Sequence, residues 1–141
     1  MSDEPTTFGF VCVQNAGRSQ MATAFAERER ERRGLTDSVA IVTGGTHPAD
    51  EVHPEVVEAM AELDVDLSDR VPREVSRAEL DSATVVATMG CSTLELDADV
   101  EVRDWDLDDP HNQSVEEVRR IRDDIEGRVT ALFDEYEDSR D

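Results

Sequence analysis

Apolar and polar positions along this chain follow two patterns in turn: short apolar runs typical of buried strands, and a three-to-four residue spacing typical of helices. The apolar runs predict four strands, at residues 8–13, 38–43, 83–88 and 101–107. The helical spacing predicts helices near residues 19–33 and 54–63, a helical turn at 76–80, and a long helix from residue 114 onward. Local signals support the boundaries: Gly34 can end the first helix, Pro54 suits a first helical turn, and Ser114-Val-Glu-Glu is a capping-box signature.

Strands and helices alternate, and this order predicts an α/β fold in which an open parallel sheet carries helices on both faces. We expect one three-layer domain over residues 1–141, with an acidic tail at about 134–141 that frays. The run at 83–88 is almost continuously apolar, so this strand should be central. The last helix should bury one stripe, formed by Val118, Ile121, Ile125, Val129, Leu132 and Phe133.

The segment between the first predicted strand and helix carries the strongest chemical signal, a cysteine and an arginine separated by five residues. A loop in this position offers inward N–H groups and a helix dipole to an anion. Arg18 can bind two oxygens of a tetrahedral oxyanion, and the same positive field favours Cys12 as a nucleophilic thiolate. Asn15 and Gly17 are expected at positive φ, and Ser19 can donate a hydrogen bond to the sulfur. The predicted oxyanion-binding residues are Val13, Gln14, Asn15, Ala16, Gly17, Arg18 and Ser19. The alternative is a structural cysteine before an ordinary helix cap.

A second candidate group follows the fourth predicted strand, where the chain reads Asp104-Trp-Asp-Leu-Asp-Asp-Pro110. Ligands of parallel sheets bind at the carboxyl ends of the strands, so this segment should share a rim with Cys12. Pro110 favours an extended backbone at Asp109, and a carboxyl group beside an anion keeps its proton more readily. We predict Asp109 as the general acid. The alternative is an acidic turn in an acid-rich chain, and Trp105 should lie in the core.

A third candidate is Cys91, directly after the predicted central strand. It could act as a resolving thiol that attacks an adduct on Cys12, provided that the two Cα atoms lie within about 7 Å or that a loop moves. It could equally be a small structural residue at the end of a strand. The three histidines lack metal-ligand spacing, so we predict no metal and no organic cofactor.

The composition limits the classes of molecule that this protein is expected to bind. The net charge is −21 and every basic residue is arginine, which makes nucleic acid and anionic membranes poor partners. Acidic residues are spread along the whole chain, which favours adaptation to a salty cytoplasm over binding of a basic partner. No apolar run is long enough for a membrane span and the first residues do not resemble a signal peptide, so we expect a cytoplasmic protein.

These motifs together resemble the low-molecular-weight protein tyrosine phosphatase superfamily, and within it the arsenate reductases coupled to thioredoxin or small thiols. The similar segments are the Cys12–Ser19 loop, Gly45-Thr-His-Pro48, Asp66-Leu-Ser68, Thr88-Met-Gly-Cys91 and Trp105-Asp-Leu-Asp-Asp-Pro110. The resemblance implies a four-stranded parallel sheet. It also implies Cys12 as nucleophile, Arg18 as oxyanion binder, Asn15 as loop organiser, Ser19 as thiolate stabiliser and Asp109 as acid.

The resemblance favours arsenate reduction: Cys12 attacks arsenate, and a second thiol then releases arsenite. Tyrosine phosphatases instead hydrolyse a phosphocysteine and usually carry aromatic residues after the Asp-Pro pair, where this chain has His111-Asn-Gln-Ser. Thioredoxin-coupled reductases usually have a third cysteine, which residues 92–103 lack. Either Cys91 resolves the adduct on Cys12 or a small thiol does, with a thioredoxin-like or glutaredoxin-like reductant resetting the enzyme. A phosphatase, or a non-catalytic module that binds oxyanions, are the rival hypotheses.

Overall fold

The computed structural model describes residues 6–12, 14–89, 100–105, 107 and 113–139. Four strands and four helices alternate in the order β1 (Thr6–Cys12), α1 (Arg18–Arg32), β2 (Val39–Gly45), α2 (Pro54–Ala61), α3 (Arg77–Asp81), β3 (Val85–Met89), β4 (Glu101–Asp104) and α4 (Val115–Ser139). The strands form a four-stranded, fully parallel sheet in the order β2-β1-β3-β4. The predicted fold class is confirmed.

The register of the sheet brings three strand ends together. Cys12, the last residue of β1, lies beside Gly45 of β2 on one side and Met89 of β3 on the other. Because the strands are parallel, the segments that follow them all leave from the carboxyl-terminal end of the sheet. The predicted oxyanion loop follows the inner strand β1 at this end of the sheet.

The two faces of the sheet carry unequal cores. Phe8, Phe10 and Cys12 alternate onto one face, where α1, α2 and α4 cover them in the larger cluster. Val11 and Val86 point to the other face and pack with Leu80 of α3 in a smaller cluster. All five residues of β3 are buried, as predicted for a central strand. The predicted stripe of α4 is buried along its whole length.

Several boundaries differ from the predictions for local reasons. β2 continues through two glycines to Gly45, because both pair with the last two residues of β1 and Gly45 also forms a bridge with Glu74. β4 ends at Asp104 and not at residue 107, since Trp105 turns into the core and packs against Phe10 with ring centroids 6.0 Å apart. Residues 134–139, expected to fray, continue α4.

An ion-pair cluster joins the last turns of α4 to the end of α1. Arg33, just after α1, donates to Glu29, to Asp134 at 2.8 Å and to Glu137 at 2.7 Å. Glu29 is buried, and the arginine links it to the last turns of α4. Gly34, at φ 68°, then reverses the chain, as expected for a residue that ends a helix.

Candidate active site

Three carbonyl groups at the end of β1 and in the loop before α1 point outward. Three alternate carbonyl oxygens accept backbone hydrogen bonds at 2.9–3.2 Å from residues 46–53, the segment after β2. The pairs are Thr46 N to Cys12 O, Ala49 N to Gln14 O and His53 N to Ala16 O. Turning these acceptors away leaves the inside of the loop to N–H groups, and inward N–H groups are what an anion requires.

Asn15 shapes this loop through its backbone. Its φ is 51°, in the left-handed region that asparagine tolerates better than most residues. In this conformation its N–H donates to Cys12 Sγ at 3.2 Å. The expectation of positive φ is thus confirmed for Asn15, whereas it is wrong for Gly17, whose φ is −143°.

The Asn15 side chain is fully buried and makes four hydrogen bonds. Its amide nitrogen donates to two hydroxyls, Ser19 Oγ at 2.7 Å and Thr43 Oγ1 at 3.0 Å. Its oxygen accepts from Gln20 Nε2 and from the backbone N–H of Arg73, both at 3.0 Å. The Arg73 N–H can only donate, so it defines which Asn15 atom is the oxygen. Every polar position of this amide is therefore occupied.

The direction of the hydrogen bonds can be followed to the sulfur. Thr43 donates its hydroxyl proton to Phe10 O at 3.1 Å, so it accepts from Asn15. Ser19 also accepts from Asn15, and its other side-chain contact is Cys12 Sγ at 2.9 Å. A thiolate has no proton to donate, so when Cys12 is deprotonated the Ser19 hydroxyl is the donor and its proton points to the sulfur. Two donors, the Ser19 hydroxyl and the Asn15 N–H, face Cys12, and such an arrangement suits a thiolate.

Arg18 opens α1 and is 8% exposed. Its Nη1 donates to the carbonyl oxygen of Leu107 at 3.2 Å. This bond joins the oxyanion loop to the segment that carries Asp109, two residues further along the chain. Trp105, in the same segment, is buried as expected.

Three predicted site residues lie outside the described residues: Val13, Asp109 and Cys91. The structure brings the other seven together at one end of β1, namely Cys12, Gln14, Asn15, Ala16, Gly17, Arg18 and Ser19, the last two being the first residues of α1. Among the described residues no cluster of three or more potential metal ligands is found. None of the helices described is sufficiently long and apolar to cross a bilayer.

Sequence reasoning missed the outer members of this site. Thr43 and Arg73 bind Asn15 across separations of 28 and 58 residues, and Gln20 binds it from within α1. A polar Thr43 at the end of an otherwise apolar strand was the one available signal. The groups that hydrogen-bond to Cys12, Asn15 and Ser19 are all neutral within the described part of the chain.

The comparisons with known proteins agree with this geometry. The sequence matches the low molecular weight phosphotyrosine protein phosphatase family over residues 7–140. The chain belongs to this family. Among its relatives, a protein of Halobacterium salinarum with the provisional name arsenate reductase is 72% identical over 136 residues, which are 96% of each chain.

Several solved structures are similar to this chain over most of its length. The thioredoxin-dependent arsenate reductase of Corynebacterium glutamicum matches with a TM-score of 0.80 and 28% identity over 99% of this chain. The match spans 65% of that longer chain. An arsenate reductase in a phosphate-binding state matches with a TM-score of 0.75 and 27% identity, over 92% of this chain and 98% of the other.

Proposed function

We propose that this protein is an arsenate reductase that uses Cys12 as its nucleophile. The observation that carries the proposal is the Cys12 sulfur, held by two hydrogen-bond donors at the base of an anion loop that Arg18 closes. The comparisons supply the second support, because the 72% identical relative has the provisional name arsenate reductase and the solved neighbours include arsenate reductases.

In the first step the Cys12 thiolate attacks arsenic. A sulfur–arsenic bond forms and one arsenic–oxygen bond breaks. Asp109 donates a proton to the departing oxygen, which leaves as water. Arg18 and the loop amides bind the remaining oxygens, and their charge stabilisation is strongest where negative charge develops.

In the second step a thiolate attacks the Cys12 sulfur. A disulfide forms, the sulfur–arsenic bond breaks, and its electron pair stays on arsenic, which leaves as arsenite. The full chain contains two cysteines, so the attacking thiol is either Cys91 or a small thiol. A thioredoxin-like or glutaredoxin-like dithiol then returns two electrons to the disulfide. We place this cycle in the cytoplasm, where such reductants work.

Phosphatase activity is the second candidate, and the family match favours it. Phosphate has the same tetrahedral shape and charge as arsenate, so the loop binds both. Water would then hydrolyse a phosphocysteine, and no reductant would be consumed. The two candidates differ in the ratio of arsenite formation to aryl phosphate hydrolysis.

The test compares arsenite formation by wild type, Cys12→Ser and Cys91→Ser in molar salt, with a thioredoxin system, a glutaredoxin system or a small thiol as donor. We expect wild type to form arsenite with at least one donor, and Cys12→Ser to form none. Loss of activity in Cys91→Ser identifies this residue as the resolving thiol, and full activity with every donor contradicts that role. Rapid aryl phosphate hydrolysis without arsenite formation would overturn the main proposal in favour of the phosphatase.

A further inference from the structure

A short segment outside the oxyanion loop lies along the free edge of β2. We call residues 73–76 the strap. The N–H of Gly45 donates to the Arg73 carbonyl at 2.9 Å, and the N–H of Val75 donates back to the Gly45 carbonyl at 3.3 Å. The strap therefore pairs with the residue that neighbours Cys12 in the sheet register.

The strap reaches the site at two points, both through Arg73. Its backbone N–H donates to Asn15 Oδ1 at 3.0 Å, and its Nη1 donates to the Thr43 carbonyl at 2.9 Å. Asn15 directs the Ser19 hydroxyl to the sulfur, and Thr43 binds Asn15. A shift of the strap would thus displace the groups that hold the Cys12 sulfur.

Glu79 of α3 holds the two ends of the strap. Its two oxygens accept from Arg73 Nη2 at 3.1 and 3.0 Å. One of them also accepts from the backbone N–H and the hydroxyl of Ser76, each at 3.2 Å. The hydrogen bond from the Ser76 backbone and the Arg73 guanidinium together lower the pKa of Glu79, so the carboxylate stays charged near neutral pH.

Gly44 lets the strap approach. A β-carbon at this position would lie 2.8 Å from the nitrogen of Val75 and 2.9 Å from its α-carbon. Both atoms are backbone, so a side chain here would force the strap away from the sheet. The close contact between β2 and the strap therefore requires glycine at this position.

From these contacts we propose that Glu79 and Gly44 are positioning residues of the oxyanion site, which act by holding the strap against β2 and Asn15. The proposal deepens the proposed function, because the anion that this site positions is the substrate. Neither residue touches the reacting atoms. Their effect should therefore be seen in anion affinity and in the reactivity of Cys12, not only in stability.

The opposite edge of the sheet offers a matched control for Glu79. Arg103 of β4 donates from its two Nη atoms to the two oxygens of Glu135, at 2.8 and 3.0 Å, so this pair too is joined by two hydrogen bonds. Hydrogen bonds from Arg103 likewise lower the pKa of Glu135. Among the described residues this second pair has no contact with the oxyanion loop. Glu79→Gln and Glu135→Gln remove the same charge from the two edges.

The first experiment measures three quantities in molar KCl for wild type and both variants: the dissociation constant of inorganic phosphate, the rate of iodoacetamide alkylation of Cys12, and the melting temperature. Cleavage after Arg18 separates the peptide of Cys12 from that of Cys91, so mass spectrometry follows Cys12 alone. We expect Glu79→Gln to weaken phosphate binding about two- to five-fold, the range of a partly exposed ion pair. Alkylation should slow similarly, while Glu135→Gln matches wild type in both.

A second pair of variants tests the strap without changing charge. Gly44→Ala should weaken phosphate binding by about ten-fold or more, because small displacements of positioning groups have large effects. Gly127→Ala is its control, since a β-carbon there meets no atom within 4 Å. Glu79→Asp, which keeps the charge, should recover part of the loss seen in Glu79→Gln.

The proposal is overturned if Glu79→Gln equals Glu135→Gln in phosphate affinity and alkylation rate, or if Gly44→Ala binds phosphate as Gly127→Ala does. A fall in melting temperature without either change also overturns it, because the strap would then be structural only. None of these readouts uses arsenate turnover. A wild-type protein that forms no arsenite therefore contradicts the proposed function and leaves this comparison intact.

Discussion

The oxyanion loop and the outer surface of α4 are held in place by opposite means. Around Cys12, buried neutral groups hydrogen-bond one another, with Asn15 at the centre. On α4, partly exposed arginine–carboxylate pairs join the helix to its neighbours: Arg28–Glu126, Arg33–Asp134, Arg119–Glu62 and Arg122–Glu62. Salt screens exposed pairs and acid protonates them, whereas a buried neutral network responds little to either. We therefore predict that salt and acid change the stability contributed by the surface ion pairs more than they change the hydrogen bonds around Cys12.

The largest effect should come from Asn15→Ala, which removes four side-chain hydrogen bonds at once. The Ser19 hydroxyl would lose the donor that directs its proton to the sulfur. We expect arsenate turnover to fall on the order of 100-fold and the free energy of unfolding to fall by about 2–3 kcal/mol, because buried partners are left unsatisfied. Steady-state kinetics and urea unfolding measure the two effects.

Gln113→Ala is the control for Asn15→Ala, since it removes an exposed amide just before α4. It should leave turnover and unfolding near the wild-type values. Turnover of Asn15→Ala within about three-fold of wild type, less than the contribution of one ordinary hydrogen bond, would contradict the central role of this amide.

A smaller effect is expected for Thr43→Val, which keeps the shape of the side chain but removes its hydroxyl. The hydroxyl accepts from Asn15 and donates to the Phe10 carbonyl, so its loss should weaken phosphate binding by about ten-fold, equivalent to about 1.4 kcal/mol. Titration with phosphate measures this change. Thr130→Val removes a comparable hydroxyl from α4, where Thr130 donates to Glu126 O at 2.9 Å. Equal phosphate affinity in the two variants would show that the network does not depend on Thr43.

The smallest effect concerns acid stability. Hydrogen bonds from Arg119, then Arg122, lower the pKa of Glu62 from 4.5 to about 2. Glu62 therefore binds a proton more weakly in the folded state than in the unfolded chain. The stabilisation that the charged Glu62 gives the folded state is fully present above pH 4.5 and is lost as the pH falls towards 2. In Glu62→Gln the free energy of unfolding should vary less with pH over this range, and phosphate affinity at neutral pH should not change. Urea unfolding at several pH values tests it, and a pH dependence identical to wild type would contradict the contribution of this pair.

How far the sequence predicts the fold depends on how local the signal is. Gly34 and Pro54 mark their helix boundaries through their own backbone properties, and both predictions are confirmed. Ser76 shows the limit of such signals: it was expected in a helical turn, and it is the N-cap of α3 in a capping box with Glu79. The strand predicted at 38–43, with its end at Gly44 and Gly45, is found as β2, but its bridge to the strap has no local signal because the strap comes from a distant part of the chain.

The candidate site likewise contains residues that are close in sequence and residues that only the fold brings together. Cys12, Arg18 and Ser19 lie in one short loop, so their spacing alone predicts that they meet. Thr43 and Arg73 reach Asn15 only because the parallel order of β1 and β2 and the course of the strap bring them there. No spacing rule relates these residues. The catalytic roles of Cys12, Arg18, Asp109 and Cys91 stay predictions, and the Cys12→Ser and Cys91→Ser variants test two of them.

Among the described residues, the groups that hydrogen-bond to the Cys12 sulfur are uncharged, so selection on the exterior away from the strap and selection on the reaction act on separate positions. A lineage that moves into brine can replace helix residues by Asp, Glu and Arg while the bonds to Asn15 stay unchanged. Replacing charged surface residues by neutral ones is the reverse change, and it can be made by mutagenesis. A variant with a near-neutral exterior that keeps Arg73 and Glu79 should work in dilute buffer with the same active site, and it would separate the demands of habitat from those of catalysis.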